Sequence, residues 1–313
     1  MRIVSLIASS TEIVHALGFG DDMVGRSHEC DFPLKVKDLP ICTEPKFKVE
    51  GSSYEIDQRV KEIVQESLSV YRVDAEKLNE LQPTHIFTQD QCEVCAVSLK
   101  DVEDAACSLI TSNPQIVSLH PDSLKDIFED IRRVAKSLNA EVVGEALIAN
   151  VKARMQAVVD RVAKLKARPR VALIEWIDPL MAGGNWMPEL IEMAGGINLF
   201  GVAGEHSPWM KWEDLVASDP DIIIVSPCGF GIERTMQEMH LISQRPEYAT
   251  LRAAKVGKVF VADGNQYFNR PGPRVLDSLE ILAEIFHLGV VNYGHESVGW
   301  IRFSAAALPA PSK

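Results

Sequence analysis

The stretch EVVGEALIANVKARMQAVVDRVAKLK, residues Glu141–Lys166, decides the fold. Its apolar side chains recur every three or four residues, as on one face of a helix, at Val143, Leu147, Val151, Met155, Val158, Val162 and Leu165. No proline occurs before Pro169, so one uninterrupted helix of roughly 40 Å is predicted. Because strand and helix patterns lie on both sides of it, this helix is expected to join two α/β lobes.

The sequence on each side of this helix alternates between buried strands and amphipathic helices. Strands are predicted before it at Ile3–Ile7, Met23–Gly25, Thr84–Thr88 and Gln115–Leu119, and after it at Arg170–Trp176, Asp221–Val225 and Val259–Ala262. Such alternation is typical of α/β folds with parallel sheets. We therefore predict two Rossmann-like lobes, residues 1–139 and 169–290, joined by a single long backbone helix over 140–168 and followed by a tail over 291–313.

Two segments share one plan. In KLNELQPTHIFTQ, residues 77–89, and in EDLVASDPDIIIVS, residues 213–226, a leucine lies five residues before a proline and a buried strand follows. The lobes are therefore expected to be copies of one architecture. Ligands of open α/β sheets lie beyond the carboxyl ends of the strands, so residues 89–95 and 226–231 are expected to border one ligand cleft.

The composition excludes several classes of protein. The net charge is −12, whereas a nucleic-acid-binding surface requires a basic patch. No apolar run approaches the length of a membrane span, so we predict a protein that is not embedded in a membrane. We expect a monomer or a weak dimer.

The first residues predict a location. Met1-Arg2 leads directly into a strand pattern, and no apolar leader with a cleavage site precedes that pattern. On this basis we expect the protein to reside in the cytoplasm, with its six cysteines reduced.

Reduced cysteines that lie close together indicate metal or redox chemistry. Cys92 and Cys95 form a CxxC pair at a predicted strand end, and with His28 and Cys30 they would make a Cys₃His site for zinc or iron. The alternative is that one thiol packs in the core and the other is incidental.

Four of the five tryptophans lie in or beside loops at predicted strand ends, namely Trp176, Trp186, Trp209 and Trp212. A lone tryptophan normally packs in a core, but four such placements favour a large, flat or partly apolar ligand. His206 lies among them, and a solvated surface histidine is the alternative for that residue.

Polar residues at other strand ends complete the predicted ligand-binding set. The stretch DGNQYFNR, residues 263–270, mixes polar and aromatic side chains that suit a ligand wall, although a structured surface turn is the alternative. The candidates here are Asp263, Asn265, Tyr267, Phe268 and Arg270. Those in the first lobe are His28, Asp31, Gln89 and Asp90.

No motif of a common catalytic site occurs in the sequence. It contains no GxSxG, P-loop, HExxH or dinucleotide glycine fingerprint. Ser9-Ser10-Thr11 can bind an anion at a helix start, but helix capping explains these residues equally well. We therefore predict a binding protein rather than an enzyme.

Several stretches together resemble the substrate-binding proteins of metal-chelate ABC importers, and within them the cobalamin-binding, BtuF-like branch. In chain order they are IVSLIASSTEIVHALG (3–18), VGRSHECDFP (24–33), the proline–strand segment at Pro83, AGGNWMPELIEMAGGINLF (182–200), WEDLVASDPDIIIVS (212–226) and ADGNQYFNRPGPR (262–274). The order and spacing of these stretches carry the resemblance, which covers residues 1–290.

The resemblance implies a class III periplasmic-binding-protein-like fold that holds a corrinoid or related metal chelate between its lobes. It also implies an ABC transporter permease as partner, which docks through an exposed acidic residue on each lobe. The candidates for these are Glu93 or Glu103 and Glu233 or Glu238. The histidine and cysteine groups exceed what capture of a corrinoid requires.

Two hypotheses follow. In the first, the protein binds a cobalamin-like corrinoid or another small-molecule metal chelate, with haem or a ferric siderophore as the nearest competitor. In the second, it is an intracellular metal- or thiol-dependent enzyme, or a metal carrier, that uses Cys92 and Cys95 with His28 and Cys30.

Overall fold

The computed structural model of the protein describes residues 1–65, 70–90, 102 and 111–304. The chain forms two compact units. The first contains Met1–Gly51, Glu55–Pro121 and Lys125–Val151, and the second contains Ser52–Tyr54, Asp122–Leu124 and Lys152–Lys313.

The chain up to residue 137 folds around a parallel sheet. Its elements are β1 (Ile3–Ser5), α1 (Ala8–Ala16), β2 (Met23–Arg26), β3 (Thr43–Pro45), α2 (Ser53–Gln65), β4 (Tyr71–Val73), α3 (Ala75–Leu81), β5 (His85–Gln89), β6 (Gln115–Leu119) and α4 (Leu124–Ser137). The sheet has the strand order β2-β1-β5-β6, and all its pairs are parallel. The carboxyl ends of these strands therefore lie at one edge of the sheet.

Helix α5 (Glu141–Val162) begins where the sequence predicts but ends at Val162 rather than Lys166. A tight turn closes it, in which the N–H of Leu165 donates to the carbonyl of Val162 at 2.9 Å. Residues 163–168 are exposed apart from the half-buried Leu165, so no packing stabilises a further turn. The boundary between the two units falls within α5, after Val151. None of the described helices is both long and apolar enough to cross a membrane.

The buried face of α5 differs from the predicted stripe in its first turns. Val143 is 46% exposed, whereas Gly144 and Ile148 are buried. A Cβ atom at Gly144 would lie 2.6 Å from the Cβ of Ala135 in α4. Because the two helices approach closely, the face of α5 that carries Gly144 lies in the interior and Val143 is exposed.

The chain from residue 170 folds around a second sheet. Its elements are β7 (Arg170–Trp176), β8 (Met181–Ala182), α6 (Met187–Met193), β9 (Ile197–Asn198), α7 (Trp212–Ser218), β10 (Ile222–Val225), α8 (Ile232–Glu238), α9 (His240–Ser243), α10 (Arg252–Lys255), β11 (Val259–Ala262), α11 (Val275–Phe286) and β12 (Trp300–Arg302). The strand order is β12-β11-β10-β7-β8. Strands β7, β10 and β11 are parallel, and β12 is antiparallel to β11.

The two proline segments share backbone geometry as well as sequence. Helix α3 is followed by Gln82 and helix α7 by Asp219, both in the left-handed conformation with φ of 45° and 42°. Pro83 and Pro220 come next, and β5 and β10 each begin two residues after the proline. In each unit, the same helix–proline connection thus leads into an interior strand of the sheet.

Candidate functional site

The carboxyl ends of β7, β10 and β11 lie at one edge of the second sheet, because these strands are parallel. Hydrogen bonds join the segments that follow β10 and β11. The N–H groups of Gly264 and Asn265 donate to the carbonyl oxygen of Phe230 at 3.0 and 3.2 Å. The carboxylate of Asp263 caps the second segment by accepting from the N–H of Gln266 at 2.7 Å. These contacts place the predicted polar residues Asp263 and Asn265 beside Phe230.

Aromatic side chains line the same edge. The ring centroids of Trp176 and Phe230 lie 5.2 Å apart. Trp209 is 57% exposed and pairs through its backbone with Met181, which in turn pairs with Trp176. We call Trp176, Phe230 and Trp209 the aromatic edge. The indole N–H of Trp176 is buried without an acceptor among the described residues, so a ligand oxygen would offset the cost of that donor.

Two guanidinium groups lie over aromatic rings in this region. The Cζ atom of Arg234 lies 4.2 Å from the ring centroid of Phe230, and that of Arg274 lies 5.3 Å from the ring centroid of Tyr267. Arg234 also forms an ion pair with Glu238 at 2.5 Å. Each guanidinium therefore contacts an aromatic ring at the strand ends, while Glu238 compensates the charge of Arg234.

A buried hydrogen-bond network holds the loop before α6. The hydroxyl of Ser207 donates to the carboxylate of Glu175 at 2.9 Å and accepts from the N–H of Gly184 at 3.0 Å. Two predicted ligand residues flank this network. His206 is exposed, whereas Trp186 is 5% exposed, and its indole N–H has no acceptor among the described residues.

Three other predicted ligand residues are buried. Trp212 is 6% exposed at the start of α7, and its indole N–H donates to Glu247 at 3.0 Å. Phe268 is 1% exposed. Arg270 is 4% exposed, and its guanidinium donates to the side-chain oxygen of Asn265 at 3.3 Å. Trp212 and Phe268 thus contribute to packing, and Arg270 positions Asn265.

In the first unit, His28 lies just beyond β2. Its backbone N–H and its Nδ1 atom lie 3.1 and 2.8 Å from the hydroxyl of Thr43, and its ring centroid lies 5.1 Å from that of Tyr71. Burial, followed by the charge of Arg26, lowers the pKa of His28 below its usual value. The imidazole is therefore neutral near pH 7, the form that binds transition metals.

The other predicted residues of the first unit lie at the ends of β2 and β5. Asp31 is half-buried, Gln89 is 3% exposed, and Asp90 is exposed. A carboxylate oxygen of Asp90 lies 2.5 Å from Nδ1 of His120, which follows β6 directly. This contact joins the carboxyl ends of two neighbouring strands, and His120 is absent from the residues predicted from sequence.

The proposed cysteine site lies partly outside the described residues, as do two of the four acidic candidates. Outside them are Cys92, Cys95, Glu93 and Glu103. Cys30 is 1% exposed, and its sulfur accepts a hydrogen bond from the hydroxyl of Thr11 at 3.0 Å. Within the described part of the chain, neither His28 nor Cys30 belongs to a group of three possible metal ligands.

The segments that follow β10 and β11 lie close together at Gly264. A Cβ atom there would lie 2.1 Å from the carbonyl oxygen of Pro227. We therefore expect Gly264→Ala to lower the free energy of unfolding in urea by about 1–3 kcal/mol, the usual range for overpacking. Gly231→Ala is the matched control, because its Cβ would meet nothing nearer than an oxygen of Asp263 at 3.8 Å. Equal losses in both variants would contradict the close approach.

A family model, related sequences and solved structures all match most of this chain. The family model described as periplasmic binding protein matches residues 3–265. The vitamin B12-binding protein of Vibrio vulnificus is 24% identical over 287 residues, which cover 91% of this chain and 89% of that protein. YvrC, an ABC transporter substrate-binding lipoprotein of Bacillus subtilis, is 23% identical over 288 residues, covering 90% and 79%. The solved structure of the periplasmic heme-binding protein RhuT from Roseiflexus sp. RS-1 matches with a TM-score of 0.68 at 24% identity, covering 91% and 97%.

These similarities decide three predictions. The class III periplasmic-binding-protein type of α/β fold is confirmed by the solved structures. The prediction of a binding protein rather than an enzyme is confirmed by the family match and the relatives. The prediction of cytoplasmic residence is wrong, because the matching family is periplasmic and one relative is a lipoprotein. That prediction depended on the first residues and the six cysteines, which do not identify a compartment.

Proposed function

The chain belongs to the periplasmic binding protein family, and from this premise we propose that it is the corrinoid-capturing component of an ABC importer, with cobalamin as the model ligand. The observation that carries the proposal is the aromatic edge, in which Trp176 contacts Phe230 and the exposed Trp209 lies two backbone pairings away from Trp176. The similarity to vitamin B12-binding proteins supports the same class of ligand.

The chemistry of a corrinoid suits this edge. A corrin ring is a broad macrocycle whose faces favour contact with indole and phenyl rings. Its amide arms require hydrogen-bond partners, and the carboxylate of Asp263 and the amide of Asn265 lie beside Phe230. The unpaired indole N–H of Trp176 adds a donor for a ligand carbonyl.

His28 is the proposed metal-binding residue of the first unit. Its neutral imidazole is held by the hydroxyl of Thr43 and by ring contact with Tyr71. Imidazole suits late transition metals, which include the cobalt of a corrinoid and the iron of haem.

Haem is the second candidate ligand, and the arginines favour it. Arg234 and Arg274 place guanidinium groups over Phe230 and Tyr267. Haem carries two propionate carboxylates, which pair strongly with guanidinium groups. The ring of a corrinoid carries amides in their place, so these cations contribute less to its binding.

Permease docking is proposed through Glu233. This residue is exposed on α8, whereas Glu238 is 4% exposed and forms an ion pair with Arg234. An exposed carboxylate is free to meet a partner surface, but a buried and paired one is not. Of these two candidates we therefore choose Glu233.

Titration calorimetry of the purified protein with cyanocobalamin, hydroxocobalamin and haemin tests the ligand. We expect the cobalamins to bind and Trp209→Ala to weaken their binding about tenfold, because burial of a large aromatic side chain contributes roughly 1.5–3 kcal/mol. Trp209 is suited to this test because its exposed side chain contributes little to the core.

Val256→Ala is the matched control for Trp209→Ala. Val256 is 58% exposed and precedes β11. It therefore lies at the amino ends of the parallel strands, opposite the carboxyl ends that carry the aromatic edge. Its substitution should leave ligand affinity unchanged. Binding of haemin without binding of either cobalamin would replace the first candidate by the second, and binding of none of the three would refute both.

A further inference from the structure

A separate group of metal-ligating side chains lies on α11 and in the segment between α11 and β12. Asp277 and Glu280 are three residues apart and therefore share a face of the helix. His295 meets them from the following segment, and one ligand atom from each side chain lies within 4.8 Å of the others. We propose that Asp277, Glu280 and His295 bind a divalent transition-metal ion such as Zn²⁺, at a site distinct from the aromatic edge.

Glu280 occupies the centre of the group. It is 8% exposed, and its Oε2 atom lies 2.9 Å from Nε2 of His295. Its Oε1 atom lies 3.3 Å from the guanidinium of Arg154. The oxygen that faces the imidazole is therefore the one that can bind a cation, while Arg154 pairs with the other oxygen.

The carboxylate of Asp277 has no hydrogen-bond donor among the described residues. The side chain is half-buried. A bound cation would give this carboxylate a partner.

The donor set selects the class of metal. An imidazole nitrogen with two carboxylates suits Zn²⁺ and its neighbours, whereas Mg²⁺ and Ca²⁺ prefer oxygen ligands alone. Zinc bonds of about 2.1 Å place the ligand atoms of a tetrahedral site about 3.4 Å apart. The hydrogen bond of 2.9 Å between Glu280 and His295 is shorter than this, so binding of the ion would replace the proton of that bond and move the two side chains apart. Three protein ligands leave a fourth position for water.

Zinc titration of the full chain tests the proposal. The protein should be stripped with a chelator and studied in a Cys92→Ser, Cys95→Ser background, which removes competing thiolates. We expect the parent protein to bind Zn²⁺ and Asp277→Asn to weaken binding about tenfold or more, as for loss of a ligand. Bound Co²⁺ should give visible bands without the strong near-ultraviolet absorption of thiolate ligation.

Glu296→Gln is the matched control, because it removes one exposed carboxylate next to His295 without removing a ligand. Zinc should raise the melting temperature of the parent and of Glu296→Gln but not of Asp277→Asn. Without metal, Asp277→Asn should melt close to the parent, since its half-buried carboxylate accepts no hydrogen bond from a described residue, so lost binding would not reflect unfolding. Unchanged zinc affinity in Asp277→Asn, or no binding by the parent at about 100 μM Zn²⁺, would overturn the proposal.

Discussion

Glu284→Gln should lower the free energy of unfolding by about 2–4 kcal/mol, because it breaks a buried set of charge-assisted hydrogen bonds. Glu284 lies on α11 and is 3% exposed. Its Oε1 atom accepts from the backbone N–H groups of Tyr293, Gly294 and His295, the last two at 2.7 and 3.3 Å. Its Oε2 atom accepts from the indole N–H of Trp300 at 2.7 Å.

Both oxygens of Glu284 are thus acceptors, and glutamine has one. Whichever way its amide is turned, the NH₂ group would face an N–H donor. Urea denaturation of the wild-type protein, Glu284→Gln and the exposed-site variant Glu296→Gln measures the loss. Equal stability of the two variants would show that the carboxylate does not anchor the segment before β12.

Asp130→Asn should gain stability relative to the wild-type protein as the pH rises from about 4 to about 7, and lose that gain as the pH falls. Asp130 is 1% exposed on α4. Burial raises the pKa of its carboxyl to about 7, although Arg133 and the backbone N–H of His120 oppose the shift. The nearby carboxylates of Asp126 and Asp90 raise it further.

The direction in which stability changes with pH follows from proton linkage. Below the unfolded pKa, near 3.8, both states hold the proton and the group contributes nothing. Between that value and about 7 the folded state alone keeps it, so stability falls by about 1.4 kcal/mol per pH unit from this group, and above 7 the penalty is constant.

Asparagine stays neutral throughout, so this slope should disappear from Asp130→Asn. Urea denaturation at about pH 4.5, 6 and 8 measures it. Glu129→Gln, an exposed neighbour on the same helix, should keep the wild-type slope. Parallel curves for the wild-type protein and Asp130→Asn would mean that Asp130 folds in its charged form.

Much of the fold is predictable because its signals are local. Apolar side chains spaced three and four residues apart identify α5, and short buried runs identify the parallel strands. The errors occur where tertiary contact overrides the pattern. Gly144 faces the interior because α4 passes close to it, and Val143 is exposed as a result. The sequence contains no local sign of that approach.

The candidate site is less predictable, because a position at a strand end does not fix where a side chain points. Trp176 and Trp212 are both predicted beside loops at strand ends, yet Trp176 contacts Phe230 while Trp212 donates its indole N–H to Glu247. Phe230 and Arg234 are absent from the predicted set, although Phe230 lies in the predicted strand end 226–231. An aromatic residue in such a loop is the signal that would have identified it.

The antiparallel strand β12 bears on how copies of this chain behave at high concentration. It covers the edge of β11, where Val259, Phe260, Val261 and Ala262 are all buried. An uncovered edge of such apolar residues would offer its backbone to a strand of a neighbouring molecule. Aggregation of the folded protein through this edge would therefore require detachment of the short Trp300–Arg302 strand, which the hydrogen bond between Trp300 and Glu284 opposes.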